Sequence, residues 1–275
     1  MSTPSSPGPW SPFTAEHRLD DGDRPTIVFM SALFAGGWIW DHPYRRLESA
    51  GWPVLRTNEP ICALDSKVVG SIERLGDVLL DVCDAVGVKD VIICANSLGG
   101  LVAIDLAGRF PERVRGIVVS GAPGLTPDPD VGLSFDRRAS VQPAGEEFRD
   151  RMLGALFHGE PLFTEEQLED TATLLRHPPA MVSMARSIKA TRVYKVLPAM
   201  DKVTCPSMYV WGEYDRMTPA GAWVRALADY PQHEMVLVGE CGHIPMVERA
   251  DEYSVHLDRF LAPFDAAAAA AGAPA

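Results

Sequence analysis

The chain has 275 residues, with 25 Lys and Arg against 37 Asp and Glu for a formal net charge of −12, and is 47% hydrophobic and 23% charged. This is the composition of an ordinary globular protein, long enough to bury a sizeable core without metal or disulfide staples. The acidity disfavours a nucleic-acid backbone or an anionic membrane as partner, although it leaves room for a small anion held by one local arginine.

Residues 1–12 are rich in Pro and Ser, lack the basic and apolar regions of a signal peptide, and read as a flexible lead-in. Thr26–Met30 is a short apolar run and reads as a buried strand. A helix around Pro43–Ala50 and a strand at Pro53–Arg56 follow. Ile72, Leu75, Leu79, Val82, Cys83 and Val86 recur at helical spacing and stop at Gly87, predicting a helix over 72–86. Asp90–Ala95 reads as a strand, the stretch through Arg109 as a helix ending before Pro111, and Gly116–Ser120 as the next strand. After residue 196 come strands at Pro206–Trp211 and Glu234–Val238, separated by a helix near Ala220–Asp229, and a last helix over Arg249–Leu261. Strands alternating with helices predict a mainly parallel sheet covered by helices on both faces.

Between residues 123 and 196 the alternation stops. Helical patterns occur there at Gly145–Leu156, Thr164–Leu175 and Ala180–Tyr194, predicting an inserted helical lid. The expected division is a core of residues 13–122 and 197–264, a lid of 123–196, and a disordered Ala-rich tail at 265–275. Cys62, Cys83, Cys94, Cys205 and Cys241 are scattered and form no CxxC pair, which argues against a disulfide framework or a zinc site and for a reducing cytoplasm. No apolar run approaches a membrane span.

The chemistry concentrates in three segments. Ala95-Asn96-Ser97-Leu98-Gly99-Gly100 joins a strand to a helix, where a tight turn can lift a serine hydroxyl above the sheet edge. The competing reading is a serine that caps the helix. Trp211-Gly212-Glu213-Tyr214-Asp215 ends one strand, and Gly239-Glu240-Cys241-Gly242-His243-Ile244-Pro245 ends the next. Asp215 and His243 therefore fall at the carboxyl edge of the sheet, where open α/β sheets bind ligands. Asp215 could instead cap the following turn, and Glu213 could be the acid. His17, His42, His158, His177, His233 and His256 lack comparable flanks and read as surface or packing residues, as does the pair Asp41-His42.

With Ser, Asp and His in this order and context, the sequence resembles the α/β-hydrolase superfamily from Thr26 to Leu261. It is most similar to the lidded group that includes small esterases and meta-cleavage-product (carbon–carbon bond) hydrolases. The resemblance implies Ser97 as nucleophile, His243 as general base and Asp215 as its orienting acid. It implies an oxyanion hole from the N–H groups of Leu98 and Leu33. Relatives commonly read His-Gly-x in the loop where this chain reads Ser31-Ala32-Leu33, so Ala32 replaces a more permissive glycine.

The expected reaction is cleavage of an ester, lactone or thioester of a mostly apolar small molecule through an acyl-enzyme, with no cofactor and no metal. Alternatives are a carbon–carbon bond hydrolase of a diketone-type substrate, a non-hydrolytic lyase or cyclase using the same triad, and a ligand-binding protein on a hydrolase scaffold. Phe34, Trp38 and Trp40 after the first strand, and Phe157 and Met184 in the lid, are candidates for the pocket wall. Arg186 or Arg192 of the last lid helix could meet a substrate carboxylate or enolate. The expected partner is a small molecule, with no nucleic acid or membrane, and self-association as a homodimer stays open.

Overall fold

A computed structural model describes residues 13–20, 22–125 and 153–271, without the side chains of residues 175 and 266–271. Seven strands form one sheet in the order β1-β3-β2-β4-β5-β6-β7. They are β1 (Ala15–Arg18), β2 (Thr26–Met30), β3 (Val54–Thr57), β4 (Val91–Asn96), β5 (Val114–Ser120), β6 (Ser207–Gly212) and β7 (His233–Val238). Only β1 runs antiparallel, paired with β3; the other neighbours are parallel.

Strand periodicity divides the core into two layers. On one face Val28, Met30, Ile93, Ala95, Val119 and Trp211 meet α2 (Ile72–Ala85), α3 (Leu98–Arg109) and α7 (Ala220–Leu227). On the other, Ile27, Phe29, Ile92, Cys94, Val118 and Val210 meet α1 (Asp41–Ser49) and α9 (Ala250–Ala271). All six residues of β4 are buried, as a central strand covered on both sides requires. Trp40 packs into the second layer against Phe29 and donates from Nε1 to the Met30 carbonyl at 2.9 Å, so it is a core residue and not pocket wall.

Between β5 and β6 the described chain is helical: α4 (Glu165–Arg176), α5 (Pro178–Val193) and the short α6 (Val196–Met200). Thr164 caps α4 with a capping box completed by Gln167, and Pro178 and Pro179 open α5, where a missing N–H costs nothing. Of the helix expected over Gly145–Leu156, only residues 153–156 are described, and they are helical. Residues 1–12 also lie outside the described residues.

The sequence reading missed β1, a four-residue edge strand whose pattern is half polar. The chain end expected to be disordered continues α9 through Ala271, past Pro263. An alanine run too short to nucleate a helix needs only to propagate one, and the packed turns around Tyr253, Leu257 and Leu261 supply the nucleus. A final four-residue helix missed by the reading, α8 (Pro245–Glu248), precedes α9. No helix among the described residues is long and apolar enough to cross a membrane.

His233 opens β7 with its ring between Tyr209 and Tyr230, and neither ring nitrogen has a hydrogen-bond partner. Burial pushes its pKa below the ordinary 6.5. Between that lowered value and 6.5 the unfolded chain binds more protons than the folded one, so stability rises with pH across this window and is lost as pH falls through it. The wild type should lose urea resistance between pH 7.5 and 5.5 by more than His233→Phe, which keeps the ring packing without the titration. Equal losses in the two proteins would refute this.

Candidate active site

The carboxyl ends of β4, β5, β6 and β7 bring the candidate residues to one edge. β4 and β5 end level, with Asn96 opposite Ser120, and Ser97 N donates to the Ser120 carbonyl at 2.8 Å. Ser97 then turns sharply, with φ 56° and ψ −126°, before α3 begins. A non-glycine residue held there costs about 1–3 kcal/mol and needs surroundings that enforce it. One such enforcement is the pairing just described; another is the space at Gly99, where a Cβ would sit 3.2 Å from the Ser31 carbonyl. The Ser97 side chain makes no capping bond to α3, which removes the capping alternative.

Asp215 follows β6 and is 4% exposed. Its Oδ1 accepts from the backbone N–H groups of Met217 and Thr218 at 2.8 and 2.9 Å. Its Oδ2 accepts from Thr218 Oγ1 at 2.8 Å and faces His243 Nδ1 at 2.9 Å. A carboxylate only accepts, so this contact puts the imidazole proton on Nδ1 and leaves Nε2 as the free base. Thr218 Oγ1 also lies 3.2 Å from Nδ1 and 3.0 Å from the Gly121 carbonyl, so its single proton serves either Asp215 Oδ2 or that carbonyl. Glu213 is exposed and takes no part.

His243 is 2% exposed. Asn96 Nδ2 donates to its carbonyl at 3.1 Å, and its own N–H donates to the Leu156 carbonyl at 2.7 Å. Ser97 and His243 share one cavity of about 430 Å³, its open mouth included, together with Ala32, Leu33, Phe34, Ala35, Trp38, Asn96, Leu156, Phe163, Thr171 and Ile244. The wall is mostly apolar, and Phe163 packs edge-on against both Trp38 (4.7 Å) and Phe157 (4.9 Å).

The loop after β2 is held from below. Buried Ser31 is tied to Thr57 and Glu59, and Ile61 and Cys62 donate to the Ala32 and Leu33 carbonyls at 2.9 and 3.0 Å. Among the described residues only Ser97 and Glu240 have positive φ without being glycine, so Ala32 sits in an ordinary conformation. Neither the Leu33 nor the Leu98 N–H has a hydrogen-bond acceptor among the described residues.

Of the pocket candidates, Phe34 and Trp38 line the cavity. Phe157 is buried behind Phe163, and Met184 is buried in the core layer of α2 and α3, so neither forms the wall. Arg186 and Arg192 lie on the exposed side of α5, and Arg186 Nη1 donates to the Ser66 carbonyl at 3.1 Å. The inward positions of α5 are taken by Ala180, Ser183, Met184, Ser187 and Ala190, which turns both arginines away from the cavity. Asp41 pairs with Arg56, and His42 with Asp251, away from the site. Burial pushes the Cys94 and Cys241 thiols up, so both stay protonated packing groups. No three His, Cys, Asp or Glu side chains among the described residues converge to hold a metal.

The sequence reading passed over Thr218, although its place three residues after Asp215 is the spacing at which a turn hydroxyl meets an aspartate. It also passed over Phe163 and Thr171, which carry no motif.

Gly121, at φ 60°, backs the imidazole: a Cβ there would lie 2.6 Å from His243 Cε1 and 2.8 Å from Nδ1. Gly121→Ala should lower the thermal midpoint and displace the ring, slowing Ser97 labelling by a fluorophosphonate roughly tenfold or more. Unchanged labelling would show that the ring does not rest on this glycine.

The alpha/beta hydrolase family profile matches residues 27–254. A 2-hydroxy-6-oxononadienedioate/2-hydroxy-6-oxononatrienedioate hydrolase of Pseudomonas sp is 28% identical over 258 residues, covering 88% of this chain and 89% of that protein. A 2-hydroxy-6-oxo-6-phenylhexa-2,4-dienoate hydrolase of Burkholderia cepacia is 24% identical over 252 residues, covering 86% and 88%. The solved 2-hydroxy-6-oxo-6-phenylhexa-2,4-dienoate hydrolase of Rhodococcus sp. strain RHA1 superposes with a TM-score of 0.73 at 18% identity, covering 90% of this chain and 94% of that one. With the sheet, the match along most of its length and the full-length relatives in agreement, the chain belongs to the alpha/beta hydrolase family.

Proposed function

We propose that this enzyme is a serine hydrolase that cleaves a carbon–carbon bond beside a ketone in a diketone-type small molecule. The observation that carries the reading is that Ser97 and His243 line one apolar cavity, with Asp215 bound to His243 Nδ1 at 2.9 Å. The names of the relatives, which are hydrolases of 2-hydroxy-6-oxo-dienoates, give the substrate class.

Ser97 attacks the ketone carbon while His243 Nε2 takes the hydroxyl proton. Buried Asp215 holds the imidazole by Nδ1 and stabilises the cation that forms. The tetrahedral oxygen faces the N–H groups of Leu33 and Leu98, and the start of α3 adds its dipole. When the carbon–carbon bond breaks, its electron pair passes to the leaving carbon. That carbon must be conjugated to a second carbonyl, so the pair spreads as an enolate, and His243 returns the proton. A water then attacks the acyl-enzyme with His243 again as base. No cofactor enters these steps, and the partner is a small molecule. Five free thiols suit a reducing cytoplasm.

A second reading, hydrolysis of an ester or lactone, uses the same steps with an oxygen leaving group. One observation favours it: the described cavity wall offers no Lys or Arg to a substrate carboxylate.

Ser97→Ala should lower kcat by up to about 10⁶-fold on any substrate the wild type cleaves. Full turnover by this variant would end the serine-hydrolase reading. Assays on 2-hydroxy-6-oxo-6-phenylhexa-2,4-dienoate and on p-nitrophenyl butyrate separate the two substrate classes. The first reading requires kcat/KM to be higher on the dienoate, and the reverse order selects the ester reading. Oxygen from labelled water should enter the product; its absence would point to a lyase or cyclase.

A further inference from the structure

Between β5 and β6, ahead of α4, residues 153–159 lie against the two loops carrying Asp215 and His243 and are held there by separate contacts. Arg216 Nη1 donates to the Gly154 carbonyl at 3.0 Å. His243 N donates to the Leu156 carbonyl at 2.7 Å. The His158 ring stacks on Tyr214, with centroids 4.1 Å apart and planes 14° from parallel.

The remaining hold is a carboxylate. Glu248 ends α8, on the motif that carries His243. One of its oxygens accepts from the N–H groups of His158 and Gly159 at 2.9 and 2.7 Å. The other accepts from Gly242 N at 2.7 Å. Backbone N–H groups on an ionised carboxylate make strong, short bonds. Here they join two segments that are distant in sequence. The junction has no spare room: a Cβ on Gly242 would lie 2.5 Å from the Leu156 carbonyl and 2.8 Å from His158 N. The nearby acid Glu240 pairs with Arg249 instead.

We infer that Glu248 is a positioning residue: by binding Gly242 it fixes the backbone of His243, and through His158 and Gly159 it locks that backbone to the segment whose Leu156 and Phe163 roof the cavity. Glu248 is not among the cavity-lining residues, so it acts through Gly242 and not on substrate. The inference rests on the triad reading given above.

The test is the rate at which a fluorophosphonate labels Ser97 in the wild type, Ser97→Ala, Glu248→Ala and Glu248→Gln, each assayed well below its thermal midpoint. Glu248→Ala should slow labelling roughly tenfold or more, as a misplaced base does, and should lower kcat more than it raises KM. Glu248→Gln keeps one accepting oxygen and should recover part or all of the rate. It also carries the test if the alanine variant does not fold. A lowered midpoint with labelling at the wild-type rate in the folded Glu248 variants would make Glu248 a merely structural residue and overturn the inference while the triad stands. If the wild type is not labelled at Ser97, the triad reading falls, and this inference falls with it.

Discussion

A carboxylate removed from water must find replacement for every bond it gave up, and the carboxyl edge of this sheet is organised around one such group. Asp215 has its two oxygens occupied by Met217 N, Thr218 N, Thr218 Oγ1 and His243 Nδ1. Desolvation of an unpartnered carboxylate costs several kcal/mol, so the turn after β6 has to close on itself before a histidine can be added. The local fold does this with backbone donors three residues or fewer away, which leaves one lone-pair direction on Oδ2 for the imidazole. His243 Nδ1 occupies that remaining direction, and Gly121 leaves the space behind its ring.

The second fixed point is the serine turn. Strands buried on both faces have no side chain free to meet a ligand, so reactive groups emerge where strands end. Ser97 emerges in a strained conformation between β4 and α3, tied by its N–H to the Ser120 carbonyl, with the Ser31 carbonyl close over Gly99. Strain at the serine and full satisfaction at the aspartate are complementary: one group is held away from its comfortable geometry, and the other is given no reason to leave its own.

Most of the strand and helix order was legible in the sequence because apolar runs and helical spacing are local signals. β4 announced itself as an unbroken apolar run, and α2 as a period of 3.6 closed by Gly87. β1 was not legible, since an edge strand of four half-exposed residues has no apolar pattern to show. The end of α9 was misread because isolated propensity was weighed where propagation from a packed helix decides. Ser97, Asp215 and His243 were legible as residues at strand ends; Ser97 and His243 line one cavity, and Asp215 is bonded to the histidine. The wall was read less well. Arg186 and Arg192 were chosen for their charge, but the rotation of α5 is set by Met184 and Ala190, whose burial points the arginines outward. Thr218 and Glu248 each lie three residues beyond the segments read for chemistry, and the partners of Glu248 are backbone groups that no spacing rule displays.

The stretch from Leu156 to Phe163 has two duties in a few residues, roofing the cavity with side chains and bonding the histidine loop with backbone. This separates what can vary from what cannot. Side chains at Phe163 and Thr171 can drift among sizes and polarities and change what fits, while the peptide groups of Leu156, His158 and Gly159 keep the same hydrogen bonds whatever residues carry them. A lineage of such enzymes can therefore explore new substrates by exchanging the roof without re-solving the placement of its base. An insertion or deletion in this stretch would shift those peptide groups off the histidine loop, which a substitution does not.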